Sequence, residues 1–331
     1  MSGISVGLVI VLLLVLAAEF VNGWTDSPNA IATVVSTRVM RPRTAVIMAA
    51  ILNAAGVLLS GTAVASTIGK GIVKPESINL VTVGAAMVAI VFWSTIAWRF
   101  GLPTSESHAL IAGLTGASLA TAGPGVLLWE GWQKVLKGLF FSTVLGFSAG
   151  LLIVTLIVWI FRGVNNRVAK SIFGKAQMFS AAFMAFSHGS NDGQKFMGVF
   201  ALALVLGGVT SEFKITPAII LICSVVMAVG TSIGGWRIIK TMGISMVKLE
   251  TYQGFAVETG AAACIELASR LGIPVSTTHT INTAIMGVGA AKRLSAVRWG
   301  VVKDIVAAWI LTFPVCGVIG WFVAIIFSKI F

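Results

Sequence analysis

The sequence predicts an all-α polytopic membrane protein made of two inverted-topology repeats, and three observations carry that prediction. The 331 residues are 57% hydrophobic and only 10% charged, with a mean hydropathy of +0.99, far too apolar for a water-soluble globule. Apolar runs at 4–21, 45–64, 78–98, 139–161, 178–206, 219–233 and 305–327 reach or approach the ~20 residues that span a hydrocarbon core of about 30 Å. Two short polar motifs, finally, each occur twice, once in either half of the chain.

The first run has no basic residue ahead of it and its apolar pattern continues beyond 21, so it reads as a retained helix and not as a signal peptide. It passes into "NGWTDSPNA", residues 22–30, where a glycine, a proline, two asparagines and an aspartate interrupt an apolar segment. The basic residues fall between runs: Arg38, Arg41 and Arg43; Arg162, Arg167, Lys170 and Lys175; Arg237, Lys240 and Lys248; Lys292, Arg293, Arg298 and Lys303. Placed on one side with Arg99, these clusters obey the positive-inside rule. The net charge of +12 is therefore a topology signal, and no nucleic acid is expected as a partner. Cys223, Cys264 and Cys316 stand singly in apolar runs, without the spacing of a disulfide framework or a zinc site.

"NGWTDSPN" is answered by "HGSNDGQK", residues 188–195, with Asp192 under Asp26 at a separation of 192 − 26 = 166. "GLPTSESH", residues 101–108, is answered by "GIPVSTTH", residues 272–279, with His279 under His108 at 279 − 108 = 171. The chain thus reads as a duplication: a first repeat over 1–162, a basic connector over 163–175 and a second repeat over 176–331. A basic cluster follows the first polar interruption but precedes the second, so the two segments cross in opposite directions. Broken helices at matching positions of inverted repeats point to a binding site at the midplane, because non-helical backbone at membrane depth is tolerated only where it lines a cavity.

Asp26 and Asp192 are costly where they lie, at roughly 2.5 to 3.5 kcal/mol each on insertion scales. A bound cation would compensate them, with Asn22, Thr25, Ser27, Asn29, Asn191 and Gln194 as neutral oxygen ligands of the kind a hard cation takes. Lys195, too deep to snorkel easily, is a second candidate partner; pairing with lysine or capping of helix ends is the structural alternative. In the other motif pair, Thr104, Ser105 and Ser107, and likewise Ser276, Thr277 and Thr278, open apolar helices whose free N–H groups and dipoles favour an oxyanion. The alternative is that these hydroxyls only cap helices. His108 and His279 fit packing beside a helix start better than catalysis, and no ordered triad is visible. Glu266 or Glu258 offers a proton or cation site, with an i,i+4 pair to Arg270 as the structural account of Glu266.

"NGWTDSPNAIATVVSTRV", "FSHGSNDGQKFMG" and "IELASRLGIPVSTTH" resemble the inorganic phosphate transporter (PiT) family, in particular its bacterial branch, and the likeness runs over nearly the whole chain. The resemblance implies a non-enzymatic secondary transporter of the cytoplasmic membrane that takes up inorganic phosphate with a cation. It further implies a re-entrant helical hairpin in each repeat and a homodimer in the lipid bilayer. Carried onto this sequence, it assigns Asp26, Asn29, Asn191 and Asp192 to the signature and hence, with Asn22, to the cation. It places the hairpin tips on Thr104, Ser105, Ser107, Ser276, Thr277 and Thr278, which with Gln194 are the candidate phosphate ligands, and it associates Glu266 with transport, Lys195 being the second coupling candidate. No cofactor is expected beyond Na+ as the co-transported ion, held at Asp26 and Asp192; H+ coupling and sulfate as substrate stay open. Two positions depart from the family pattern. Thr25 stands where relatives usually have Asn or His, and Glu106 brings a carboxylate to a tip where small or hydroxyl residues are usual.

Overall fold

The computed structural model describes residues 5–330, so Ile4, at the start of the first predicted run, lies outside the described residues. The described chain is made of helices joined by loops, with a single β-bridge between Val73 and Leu127. In order, the helices are α1 (Val6–Ser36), α2 (Pro42–Leu59), α3 (Ala63–Gly71), α4 (Leu80–Phe100), α5 (Glu106–Ala122), α6 (Trp129–Ile160), α7 (Asn166–Leu206), α8 (Pro217–Ile233), α9 (Trp236–Lys240), α10 (Thr251–Arg270), α11 (Thr277–Lys292) and α12 (Trp299–Ile330). Of these, α1, α2, α4, α6 and α12 are long and apolar enough to cross a membrane; α8 joins α9 and the π-turn after it across a 60° bend to make a sixth candidate. The basic stretch 163–175 is mostly helical and forms the first turns of α7.

Packing repeats by element between the halves. Helix α5 lies against α12 while α11 lies against α6, α2 lies against α7 while α8 lies against α1, and α4 meets α1 as α10 meets α7. Each half therefore lends its last long helix to the hairpin of the other. Small residues permit the close crossings: Gly287 abuts the Phe147 carbonyl of α6, and Gly116 abuts the Gly317 carbonyl of α12, positions where any side chain would force the helices apart.

The two hairpins, α4–α5 and α10–α11, turn in the same way. Gly101 and Gly272 adopt left-handed φ of 70° and 66°, a conformation glycine takes without the penalty of a Cβ. The next residue in each case, Leu102 or Ile273, donates its N–H back into the helix just ended, to Ala97 or Ala268, closing the helix end. Pro103 and Pro274 follow and forbid continuation. Helices α5 and α11, of 17 and 16 residues, are about 25 Å long and fall short of a full span.

The expectation of broken helices is corrected. Helix α1 runs without interruption through Pro28, and α7 through residues 188–195. Proline leaves the carbonyl four residues back without its donor, and here Ser27 Oγ donates to that carbonyl, Trp24 O, at 3.1 Å while accepting from the Gly235 N–H at 2.8 Å. With the freed group satisfied locally, the backbone has no need to unwind.

The polar segments instead divide the apolar interior. On α1 one hydrophobic cluster ends at Ala18 and the other begins at Ala30; on α7 the order is reversed, the second ending at Ala185 and the first beginning at Phe196. Between them lies a polar layer at mid-height of both helices.

Candidate functional site

Within that layer the spacing of the polar residues follows the helical period. Asn22, Asp26 and Asn29 stand at i, i+4 and i+7 on one face of α1, and His188, Asp192 and Lys195 repeat the spacing on α7. All six are buried. The hairpin tips enter the layer from the other side, with Ser105 and Ser276 as N-caps of α5 and α11: their hydroxyl oxygens accept from the N–H groups of His108 at 3.3 Å and His279 at 3.1 Å. The capping reading of these two serines thus holds, and each hydroxyl keeps its own proton to donate elsewhere.

The second tip bridges the two aspartates. Thr277 Oγ1 donates to Asp192 Oδ2 at 3.0 Å, and Thr278 Oγ1 donates to Asp26 Oδ2 at 3.2 Å. Asn29 Nδ2 donates to both hydroxyls, at 3.4 and 2.9 Å. The first tip is held through Ser107, whose Oγ donates to the Val275 carbonyl of the second tip at 2.9 Å and accepts from Lys195 Nζ at 2.5 Å. Lys195 Nζ also donates to Asp192 Oδ1 at 2.5 Å and to Val275 O at 3.0 Å. Asp26, Asp192 and both tips therefore meet in one buried polar cluster, and Thr104, at the start of the first tip, is buried as well.

His188, which sequence reasoning passed over, completes the group. Thr231 Oγ1 donates to Met227 O, so it accepts from Asn53 Nδ2 at 3.0 Å, and Asn53 Oδ1 then faces His188 Nδ1 at 3.1 Å. That chain fixes the proton of a neutral ring on Nδ1. Nε2, 3.4 Å from Asp192 Oδ2, then turns a lone pair toward the carboxylates. Ligand atoms of Asp26, His188 and Asp192 lie within 4.8 Å of one another, and ligands about 2.3 to 2.6 Å from one hard ion lie that far apart or less. A cation among them would satisfy three groups that otherwise repel. The signal for His188 was present in the sequence, since it stands four residues before Asp192 on the same helix face.

Several expectations need revision. Gln194, expected beside phosphate, has its amide committed to structure: Oε1 accepts from Val64 N at 2.9 Å and Nε2 donates to Ser190 O and Ser60 O, tying α7 to the start of α3. Asn191 Nδ2 donates to Ser269 Oγ at 2.9 Å, anchoring the end of α10; only its Oδ1 stays without a partner among the described residues. Asn22 is likewise buried, a turn from Asp26 and beside the buried carboxyl of Glu19. Glu266 accepts from the exposed Arg270 at 3.0 Å, as its i,i+4 alternative held, and is not part of the chamber. The buried glutamate is Glu258, caged by Thr33, Ser180 and Gln177 from α1 and α7.

The two departures from the family pattern meet each other. Thr25 Oγ1 lies 2.9 Å from Glu106 Oε1, and Ser94 Oγ donates to Glu106 Oε2 at 2.7 Å, so the carboxylate is held against α1 and α4. His108 and His279 meet edge to face, with His108 tilted against Phe313 and His279 stacked on Trp309 of α12. No nucleophile is hydrogen-bonded to either ring among the described residues, in keeping with packing.

Comparison with known proteins gives a consistent picture. A profile described as the phosphate transporter family matches residues 22–320. A probable low-affinity inorganic phosphate transporter of Rhizobium meliloti (strain 1021) is 44% identical, covering 91% of this chain and 90% of its own. A protein of the same description from Bacillus subtilis (strain 168) is 37% identical over 98% of both. A solved structure described as the sodium-dependent phosphate transporter superposes with a TM-score of 0.91 at 25% identity, covering 99% of this chain and 100% of that one.

Proposed function

Because the chain belongs to the phosphate transporter family, we propose that it is a secondary active symporter that moves inorganic phosphate with a cation across the cytoplasmic membrane, with Na+ favoured over H+. One observation carries the reading. Two carboxylates on pseudo-equivalent helices converge on the hydroxyls of one buried hairpin tip, with a histidine lone pair aimed at the same point.

The cation binds first, at Asp26 and Asp192, with His188 and the side-chain oxygens of Asn22, Asn29 and Asn191 within its reach after small rotations. Its arrival releases Thr277 and Thr278 from the carboxylates. Those hydroxyls, with Thr104, Ser105, Ser107 and Ser276 and the free N–H groups at the starts of α5 and α11, then turn to the phosphate oxygens, where the helix dipoles favour negative charge. An anion entering first would face two uncompensated carboxylates. Only the empty or doubly loaded carrier changes sides, because a half-filled chamber leaves unpaired charge at membrane depth. The two halves, read as inverted repeats, rock about this layer in alternating access. The solved relative's description as sodium-dependent favours Na+. The exposed Leu, Ile and Phe side chains of α6 and α12 suit contact with lipid, and a homodimer in the bilayer is part of the proposal.

The test is radiolabelled phosphate uptake into proteoliposomes under imposed Na+ or pH gradients. Uptake driven by an inward Na+ gradient and abolished in Asp192→Ala is the expected result. Uptake driven only by a pH gradient would make H+ the coupling ion, and preferential sulfate uptake would change the substrate. Flux without any cation gradient would overturn the symport reading in favour of a channel.

A further inference from the structure

Lys195 stands where the other half of the molecule has a neutral residue. Asn29 and Lys195 each follow their aspartate by three residues, at the same spacing that relates Asp26 to Asp192. Each reaches across to the corresponding residue of the opposite tip: Asn29 Nδ2 to Thr278 Oγ1, and Lys195 Nζ to Ser107 Oγ. Thr278 and Ser107 are themselves a pair related by the second spacing. The two halves are thus built alike down to this contact, and they differ there by one unit of charge.

What surrounds the ammonium is the oxygen shell of a small cation. Nζ is held by one carboxylate oxygen, one hydroxyl and one main-chain carbonyl, from α7, α5 and the tip before α11. The side chain is 1% exposed, so no water shell or outside anion shares the charge. A carboxylate, a hydroxyl and a carbonyl are also the ligand types that alkali ions take. In the first half, Asp26 accepts from the hydroxyl of Thr278, and the residue three places on is the neutral Asn29.

We propose that Lys195 is a tethered cation occupying the second half's ion position, so that the transporter takes one fewer coupling ion per phosphate than a carrier with two neutral halves. The proposal rests on the cation-coupled reading above and deepens it. The remaining ion sits at Asp26, His188 and Asp192 Oδ2, the oxygen that Thr277 holds until the ion arrives. Lys195 travels with the protein, so it neutralises Asp192 in every state and contributes nothing to the gradient that drives uptake. The consequence is a lower concentrating power together with a chamber that needs only one ion to accept the anion.

The experiment compares wild type, Lys195→Asn and Lys195→Arg in proteoliposomes with the voltage clamped at zero. A fixed tenfold phosphate gradient is opposed by a graded gradient of whichever cation drives wild-type uptake, and the gradient that stops net flux is read. For a wild type carrying one ion, that point is about tenfold, and one added ion moves it to about threefold. Lys195→Asn is expected to shift toward the shallower gradient, while Lys195→Arg, if active, stays with wild type. Equilibrium binding of labelled cation to purified protein gives a second readout that survives loss of transport: Lys195→Asn is expected to bind one ion more than wild type. An unchanged stopping gradient or an unchanged ion count in Lys195→Asn overturns the proposal. A raised phosphate KM with unchanged ion count would make Lys195 a phosphate ligand instead. Failure of wild type to couple to any cation would strike at the symport reading itself.

Discussion

Replacing Asp192 with Asn should destabilise the protein by stranding a buried ammonium. The amide keeps an oxygen near Nζ but removes the carboxylate charge hydrogen-bonded to it, leaving Ser107 Oγ and Val275 O as neutral partners. Breaking one side of a buried pair costs about 3–5 kcal/mol. Because two neutral acceptors remain, the lower end applies, about 3 kcal/mol. At about 2 °C per kcal/mol for a chain of this size, the midpoint falls by roughly 6 °C. Lys195→Met strands the aspartate in turn, eased by the hydroxyl of Thr277, and should cost somewhat less. The Asp192→Asn/Lys195→Met double variant removes both charges and should be more stable than either single variant, with a coupling of about 1–3 kcal/mol. Thermal unfolding of detergent-purified protein in choline chloride, where no small alkali ion can fill the gap, provides the measurement. Phosphate uptake should be absent in Asp192→Asn and in the double variant alike, which separates stability from function. A double variant no more stable than its less stable parent would show that the pair does not act as one unit, and the electrostatic argument would fail.

Two further substitutions probe the scaffold and the edge of the site. Ser27→Ala leaves the Trp24 carbonyl and the Gly235 N–H without their shared partner; a loss of about 1–3 kcal/mol should appear as a lower unfolding midpoint with uptake retained at permissive temperature. Glu266→Gln should leave uptake within about twofold of wild type, because its partner Arg270 is 75% exposed and such pairs contribute about 0–1 kcal/mol; loss of uptake at normal expression would return Glu266 to the coupling path.

The sequence by itself determined the class of the protein, its duplication and most of the polar groups that meet. Composition and run length require helices in lipid, since no other open-chain structure satisfies its backbone there. The paired spacings located Asp26 with Asp192 and the two proline-serine tips without any coordinates, because repeated segments carry the same chemistry at nearly the same offset, 166 and 171 residues here. The offset does not say whether a polar insertion breaks a helix or decorates one. That depended on Ser27 reaching the carbonyl that Pro28 frees, a contact completed by Gly235 more than two hundred residues away.

Tertiary structure alone sorted residues of equal promise. Gln194 and Lys195 are neighbours in the chain, yet a helical step of about 100° sends one to the start of α3 and the other to Asp192. Glu258 and Glu266 share a helix, and only the first faces α1 and α7. His188 gained its meaning from Asn53 and Thr231 on two other helices, which fix the ring nitrogen that faces the aspartates. Local spacing fixes which face of a helix a residue occupies; what that face meets is decided by helices distant in the chain, because burying a polar group requires partners that only packing supplies.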